Sequence, residues 1–127
     1  MKKTILLLLL SAVNFLYSCS GSDTYRGLWK ATDSKGEKFE ITFDAKNFTI
    51  KDSAGKTTNF GYTQNSVKIS NSVETYGIKL SDGRTYFINF PIADDESKGV
   101  IQDGNKNLIY TIGRNTHITY EDIYKLK

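Results

Sequence analysis

The chain has one cysteine, one proline, one histidine and one tryptophan in 127 residues. A single cysteine excludes any intramolecular disulfide, so packing and hydrogen bonds must hold the folded part together. A single histidine, His117 in a polar turn near the end, excludes a histidine-rich metal centre and leaves no base–nucleophile pair to argue for. Long apolar runs are missing too. The segment Ile5 to Tyr17 is broken by Ser11 and Asn14, and falls short of the roughly 20 apolar residues a spanning helix needs. Nor is there a strong charge of one sign. The net charge is +3, and Lys2 and Lys3 supply two of those charges, so the chain beyond residue 18 is close to +1. No basic stripe marks a nucleic-acid surface.

What is present at the front is an address. Met1-Lys2-Lys3 is positive, Ile5 to Leu10 is apolar, and Leu16-Tyr17-Ser18-Cys19 ends on a small residue before the thiol. These are the parts of an export signal. Leu16-Tyr17-Ser18-Cys19 resembles the bacterial lipobox, although Tyr17 is bulkier than the usual second residue. The resemblance implies that residues 1–18 are a removed signal peptide and that Cys19 becomes the acylated first residue. Ser20 rather than aspartate after the cysteine points by the same analogy to the outer membrane, with the domain facing the periplasm or the surface. Residues 19–24 then form a short polar tether.

The remaining 109 residues suffice for one domain with a modest core. Phe39, Ile41 and Phe43 alternate with Lys38, Glu40, Thr42 and Asp44, the period of a half-buried strand. Phe48 and Ile50, Phe60 and Tyr62, Val67 and Ile69, then Tyr76, Ile78 and Leu80 continue the two-residue spacing. Ser81-Asp82-Gly83-Arg84 is a hairpin signal, because Asp-Gly tolerates positive φ. Tyr86, Ile88 and Phe90 follow, then Gly99 to Gln102, Asn107 to Ile112, and a last strand within Ile118–Leu126. No segment carries a helical period, and no internal repeat is visible. Parallel pairing needs long crossovers that the chain does not have. The expectation is all-β: an antiparallel up-and-down barrel of about eight to ten short strands over residues 25–127, with a two-sheet sandwich as the other closed solution.

Gly27-Leu28-Trp29 opens the first strand, and Arg114 closes the last clear one. The order G-x-W, F-x-I-x-F, hairpins and Y-x-I-x-R looks like the small lipocalin-like lipoproteins of Gram-negative bacteria. The resemblance spans most of residues 25–127 on few specific positions. It implies that Gly27, Trp29 and Arg114 form the barrel floor, with the arginine stacked on the indole. At 109 residues the domain is short for a lipocalin, so its loops are small.

Chemistry is sparse. Asp94-Asp95-Glu96 and Asp103-Gly104-Asn105 read as solvated turns, and Asp52-Ser53-Ala54 resembles a short bacterial O-glycosylation signal. Neither a metal nor a cofactor is indicated, and the domain reads as non-enzymatic. Binding has the better case, because fourteen aromatic residues remain beyond the signal. Phe39, Tyr62, Tyr76 and Tyr86 are the candidate ligand-binding residues, for a small apolar or amphiphilic molecule. Rings that merely fill a narrow barrel explain the same composition. A protein-interaction or inhibitor module of the envelope is the rival function. The expected partners are therefore the membrane, through the lipid, and a small ligand or an envelope protein.

Overall fold

The computed structural model describes residues 23–124. The signal peptide, Cys19 and most of the tether lie outside the described residues. Eight strands run in chain order: β1 (Gly27–Asp33), β2 (Lys38–Phe43), β3 (Asn47–Lys51), β4 (Thr57–Ser70), β5 (Val73–Leu80), β6 (Thr85–Phe90), β7 (Lys98–Asp103) and β8 (Leu108–Gly113). Each is antiparallel to the next, and β8 returns to β1 through Lys30↔Gly113 to Asp33↔Tyr110. The result is a closed up-and-down barrel, which leaves no sheet edge open along its wall. Its architecture is consistent with a lipocalin-like barrel.

The alternating rows point inward. Trp29, Ala31, Ile41, Phe43, Phe48, Tyr62, Tyr76, Ile78, Leu80, Ile88, Phe90, Ile101 and Ile112 form one continuous core. Pairing across the wall keeps them on one face, as in Ile41↔Ile50 and Tyr76↔Ile88.

One rim is built from a single turn used four times. At Asp33–Glu37, Asp52–Lys56, Leu80–Arg84 and Asp103–Asn107 the first residue bonds to the fourth and fifth through the backbone. The fourth residue takes positive φ in every case: Gly36, Gly55, Gly83 and Lys106. In three of the four the leading aspartate Oδ1 accepts amide protons two and four residues on, as Asp33 does from Lys35 and Glu37. These are three-residue hairpin loops with a left-handed bulge residue. The repetition was invisible as a sequence repeat, because only a leading residue and one φ are shared.

The opposite rim is irregular and receives the start of the described chain and the end of β8. There β4 is the exception: it has fourteen residues, while its neighbour β3 has five. A bulge between Gln64 and Ser66 bends it, and beyond Tyr62 it pairs only with β5, out to Ser70↔Val73. Val67 and Ile69, read from sequence as one more apolar pair of the core, are exposed on this overhang.

The last segment also departs from expectation. Instead of a final strand within Ile118–Leu126, one helical turn, α1 (Tyr120–Tyr124), follows β8. Thr119 and Asp122 cap it, the Asp122 carboxylate accepting from the Thr119 amide and hydroxyl. Ile118 and Ile123 cover Val100 on the outer wall, with Ile92 and Leu108 alongside. A ninth strand has no free barrel edge to join, so the tail buries its two isoleucines against the outside.

Candidate functional site

The two ends of the barrel differ in how they are filled. At the chain-terminal end, Tyr25 turns back beneath the barrel and is 1% exposed. Its ring meets Phe43 edge-on at 5.3 Å, and also Tyr76 at 5.2 Å and Tyr62 at 6.3 Å. The Tyr25 hydroxyl donates to Gln64 Oε1 at 2.7 Å, and the Trp29 indole donates to the Tyr25 carbonyl at 2.8 Å. Tyr62 donates to the Asp44 carbonyl, and Tyr76 donates to Glu74 while sharing a hydrogen bond with Thr24. Burial pushes the Tyr25 phenol far above the usual range, helped by the adjacent Tyr62, and raises Tyr62 as well. This end is a solid plug.

Arg114 seals it. Its guanidinium carbon lies 3.8 Å from the centroid of the Trp29 ring. It donates to the carbonyls of Leu28 at 3.1 Å and Thr24 at 3.0 Å. A Cβ on Gly27 would meet this guanidinium at 3.2 Å, and Gly27 already sits at φ +95°. The strand can start here only with glycine in that position. Gly27, Trp29 and Arg114 thus stand together at one end, as the resemblance implied for a barrel floor.

The four-hairpin end is different. Phe39, Ile50, Phe60, Tyr86 and Tyr110 are half-buried around its opening. Phe39 and Tyr110 meet edge-on at 5.4 Å, and Phe60 stacks on Phe48 at 5.1 Å. Among them lies a cleft of about 230 Å³, with Asp52, Lys56 and Thr58 at its rim. Arg84, from the β5–β6 hairpin, spans two rings, 5.3 Å from the Phe60 centroid and 5.5 Å from that of Tyr86. It also donates to the Tyr86 hydroxyl at 2.9 Å and pairs with Asp82 at 2.8 Å. The hydrogen bond that Arg84 donates to the Asp82 carboxylate holds the guanidinium above its ordinary range and Asp82 below its own. Burial, then Tyr86 and Asp33, raise the Tyr110 phenol. An aromatic cleft rimmed by Lys56, Asp52 and Thr58 suits an apolar group carrying a polar end.

The four candidate ligand residues therefore divide. Phe39 lines the mouth and Tyr86 flanks it, whereas Tyr62 and Tyr76 belong to the plug. Strand alternation places all four inward but is silent on height along the barrel, which the register sets. Phe60 and Tyr110, which were not among the candidate ligand residues, join Phe39 here. Arg84 was read only as part of a turn. Its spacing of two from Tyr86 was the available signal, since i and i+2 share a strand face.

Two of the wider grooves lie along the outer wall. One, of about 460 Å³, is bounded by Lys30, Lys38, Glu40, Lys51 and His117. His117 Nδ1 is 3.0 Å from the Ala31 carbonyl, so it ties the tail to β1 as a donor. The other, of about 560 Å³, runs over Lys68, Thr75, Phe87, Asn89 and Gln102. Both are mostly polar or charged. Among the described residues no cluster of three or more histidine, cysteine or acidic side chains is arranged to hold a metal ion. No protein-family model matches the chain, and no curated protein matches it.

Proposed function

We propose that this chain is a lipid-anchored, lipocalin-like lipoprotein of the outer membrane. Its non-enzymatic task is to hold the apolar end of a small amphiphile in the barrel mouth. The observation that carries the binding half is the aromatic cleft of Phe39, Ile50, Phe60 and Tyr110, with Arg84 beside the Phe60 ring. Ligand sites are concave and apolar with a few placed polar groups, and range over about 300–1,000 Å³. A cleft of about 230 Å³ is smaller, so it fits one ring or one chain end rather than a whole molecule. The anchoring half rests on Leu16-Tyr17-Ser18-Cys19 and the polar residues after it. The stacked Arg114 and Trp29 support the likeness to lipocalins.

Native mass spectrometry of the acylated protein taken from its own host tests both halves. The expected spectrum shows a mass increment of a diacylglyceryl group and an amide-linked chain at Cys19, plus a small molecule that dissociates on activation. That molecule should be lost from Phe60→Asp, which puts a charge into the cup. A bare acylated domain shifts the function to a protein partner. Palmitate labelling that persists in Cys19→Ala ends the anchor reading.

A further inference from the structure

The β4–β5 overhang stands at the same end as the start of the described chain. Tyr76, which pairs with Val67, hydrogen-bonds Thr24 at 3.1 Å, so tether and overhang leave the plug at the same level. From Val67 to the turn at Asn71 is about 13 Å of strand at the usual rise. From Cys19 to Asp23 is at most about 14 Å of extended chain. The two reaches match. With Cys19 acylated, the bilayer surface therefore lies no farther from the plug than the overhang's tip reaches. On the overhang, Val67 is 49% and Ile69 is 65% exposed, on one face of the strand, ahead of Leu28 at 43% among the large aliphatic side chains described. Exposed aliphatic side chains at a membrane-facing end gain by entering the interfacial region.

We propose that the β4–β5 overhang is a second membrane contact, in which Val67 and Ile69 enter the headgroup region and stand the barrel upright with its mouth away from the bilayer. The proposal rests on acylation of Cys19. The neighbouring β6–β7 loop, bonded to the tip through Asp94 N–H to the Ser72 carbonyl at 3.3 Å, carries Asp94, Asp95 and Glu96. Lys68, on the other face of the same strand, is outnumbered by these acids. The contact is therefore made by apolar insertion and not by attraction to anionic lipid, and added salt leaves it in place.

The test uses the full mature lipoprotein in vesicles of phosphatidylethanolamine and phosphatidylglycerol. Under this reading Cys19 is a thioether, so a cysteine at Ser70→Cys takes an environment-sensitive fluorophore alone, and Asp82→Cys at the opposite rim serves as the control. The probe at 70 should shift to the blue and be quenched by spin-labelled lipid about threefold more strongly than the probe at 82. Adding V67S/I69S to Ser70→Cys should remove that difference while the protein still floats with the vesicles. A water-like probe at 70 on floating protein overturns the proposal and leaves the anchor standing. Shielding that arises without vesicles and grows with protein concentration also overturns it, in favour of a second copy. Protein that fails to float, with Cys19 itself taking the label, removes the anchor reading and this contact with it.

Discussion

Arg114 and Trp29, eighty-five residues apart, are stacked with the guanidinium carbon 3.8 Å from the ring centroid, and the same guanidinium ties down the backbone at Leu28 and Thr24. One side chain thus joins the last strand, the first strand and the segment leading into it. Arg114→Ala removes a cation–π contact and leaves two carbonyls without their donor. The expected loss is about 2 kcal/mol, or on the order of 10 °C in melting temperature for a domain of this size. Trp29 emission should move to the red, and urea melts followed by that emission check it. Arg114→Lys should recover only part of the loss, because an ammonium cannot lie flat on the indole while serving both carbonyls.

Lys106 holds φ 65° at the position that the other three rim hairpins give to glycine. Lys106→Gly should stabilise the domain by about 0.5 kcal/mol, since the left-handed conformation costs an L-residue roughly 1 kcal/mol and glycine returns part of that as chain entropy. Gly36→Ala is the converse, about 1 kcal/mol destabilising through backbone conformation alone, because a Cβ there meets nothing within 4 Å. Paired thermal melts of the two variants decide the sign.

Thr32 is buried on the outer wall under the C-terminal segment, and its Oγ1 has no hydrogen-bond partner among the described residues. Thr32→Val replaces the hydroxyl by a methyl of similar shape in a strand. A gain of about 1 kcal/mol in chemical denaturation is expected, and a loss of that size would show that the hydroxyl is satisfied.

The plug carries a pH signature. Burial raises the phenol of Tyr25 above its unfolded value, and Tyr62 likewise. Stability from keeping these phenols protonated is complete below about pH 10 and is lost as pH rises through their higher folded values. At pH 9, Tyr25→Phe should be the less stable protein, having lost its bond to Gln64. Toward pH 11.5 the gap should close. Urea melts at the two pH values give the comparison.

The core and the mouth of the barrel should answer truncation differently. Ile78 is fully buried, so Ile78→Ala should cost about 3 kcal/mol through lost burial and the cavity left behind. Phe60 is half-buried at the mouth, and Phe60→Ala should cost clearly less while weakening any ligand of the cup. Thermal shifts with and without a bound fatty-acid-like amphiphile separate stability from binding.

Much of this was legible because strand alternation is a local property. Phe39, Ile41 and Phe43 announced an inward row, whereas the grouping of Gly27, Trp29 and Arg114 came only from a family resemblance. What escaped depends on register and on tertiary competition. Val67 and Ile69 have the same spacing as core residues, but β4 outruns β3, and that follows from strand lengths rather than composition. Tyr25 precedes the first strand and has no periodicity to betray it, yet it is the centre of the plug. The single turn of α1 is too short to display a helical period. Thr119 and Asp122, three apart, were its only local sign. The split of Tyr62 and Tyr76 from Phe39 and Tyr86 needed the vertical position of each pair in the barrel.

The four rim hairpins have a kinetic consequence. Each loop spans three residues between paired strands, too short to fold across the opening and pinned by its own backbone bonds. Whatever rests in the cup stays in contact with solvent and leaves without waiting for a gate. If the proposed ligand binds there, its dwell time is set by the fit to the rings, and it would load and unload rapidly, as in a dispenser and not a vault.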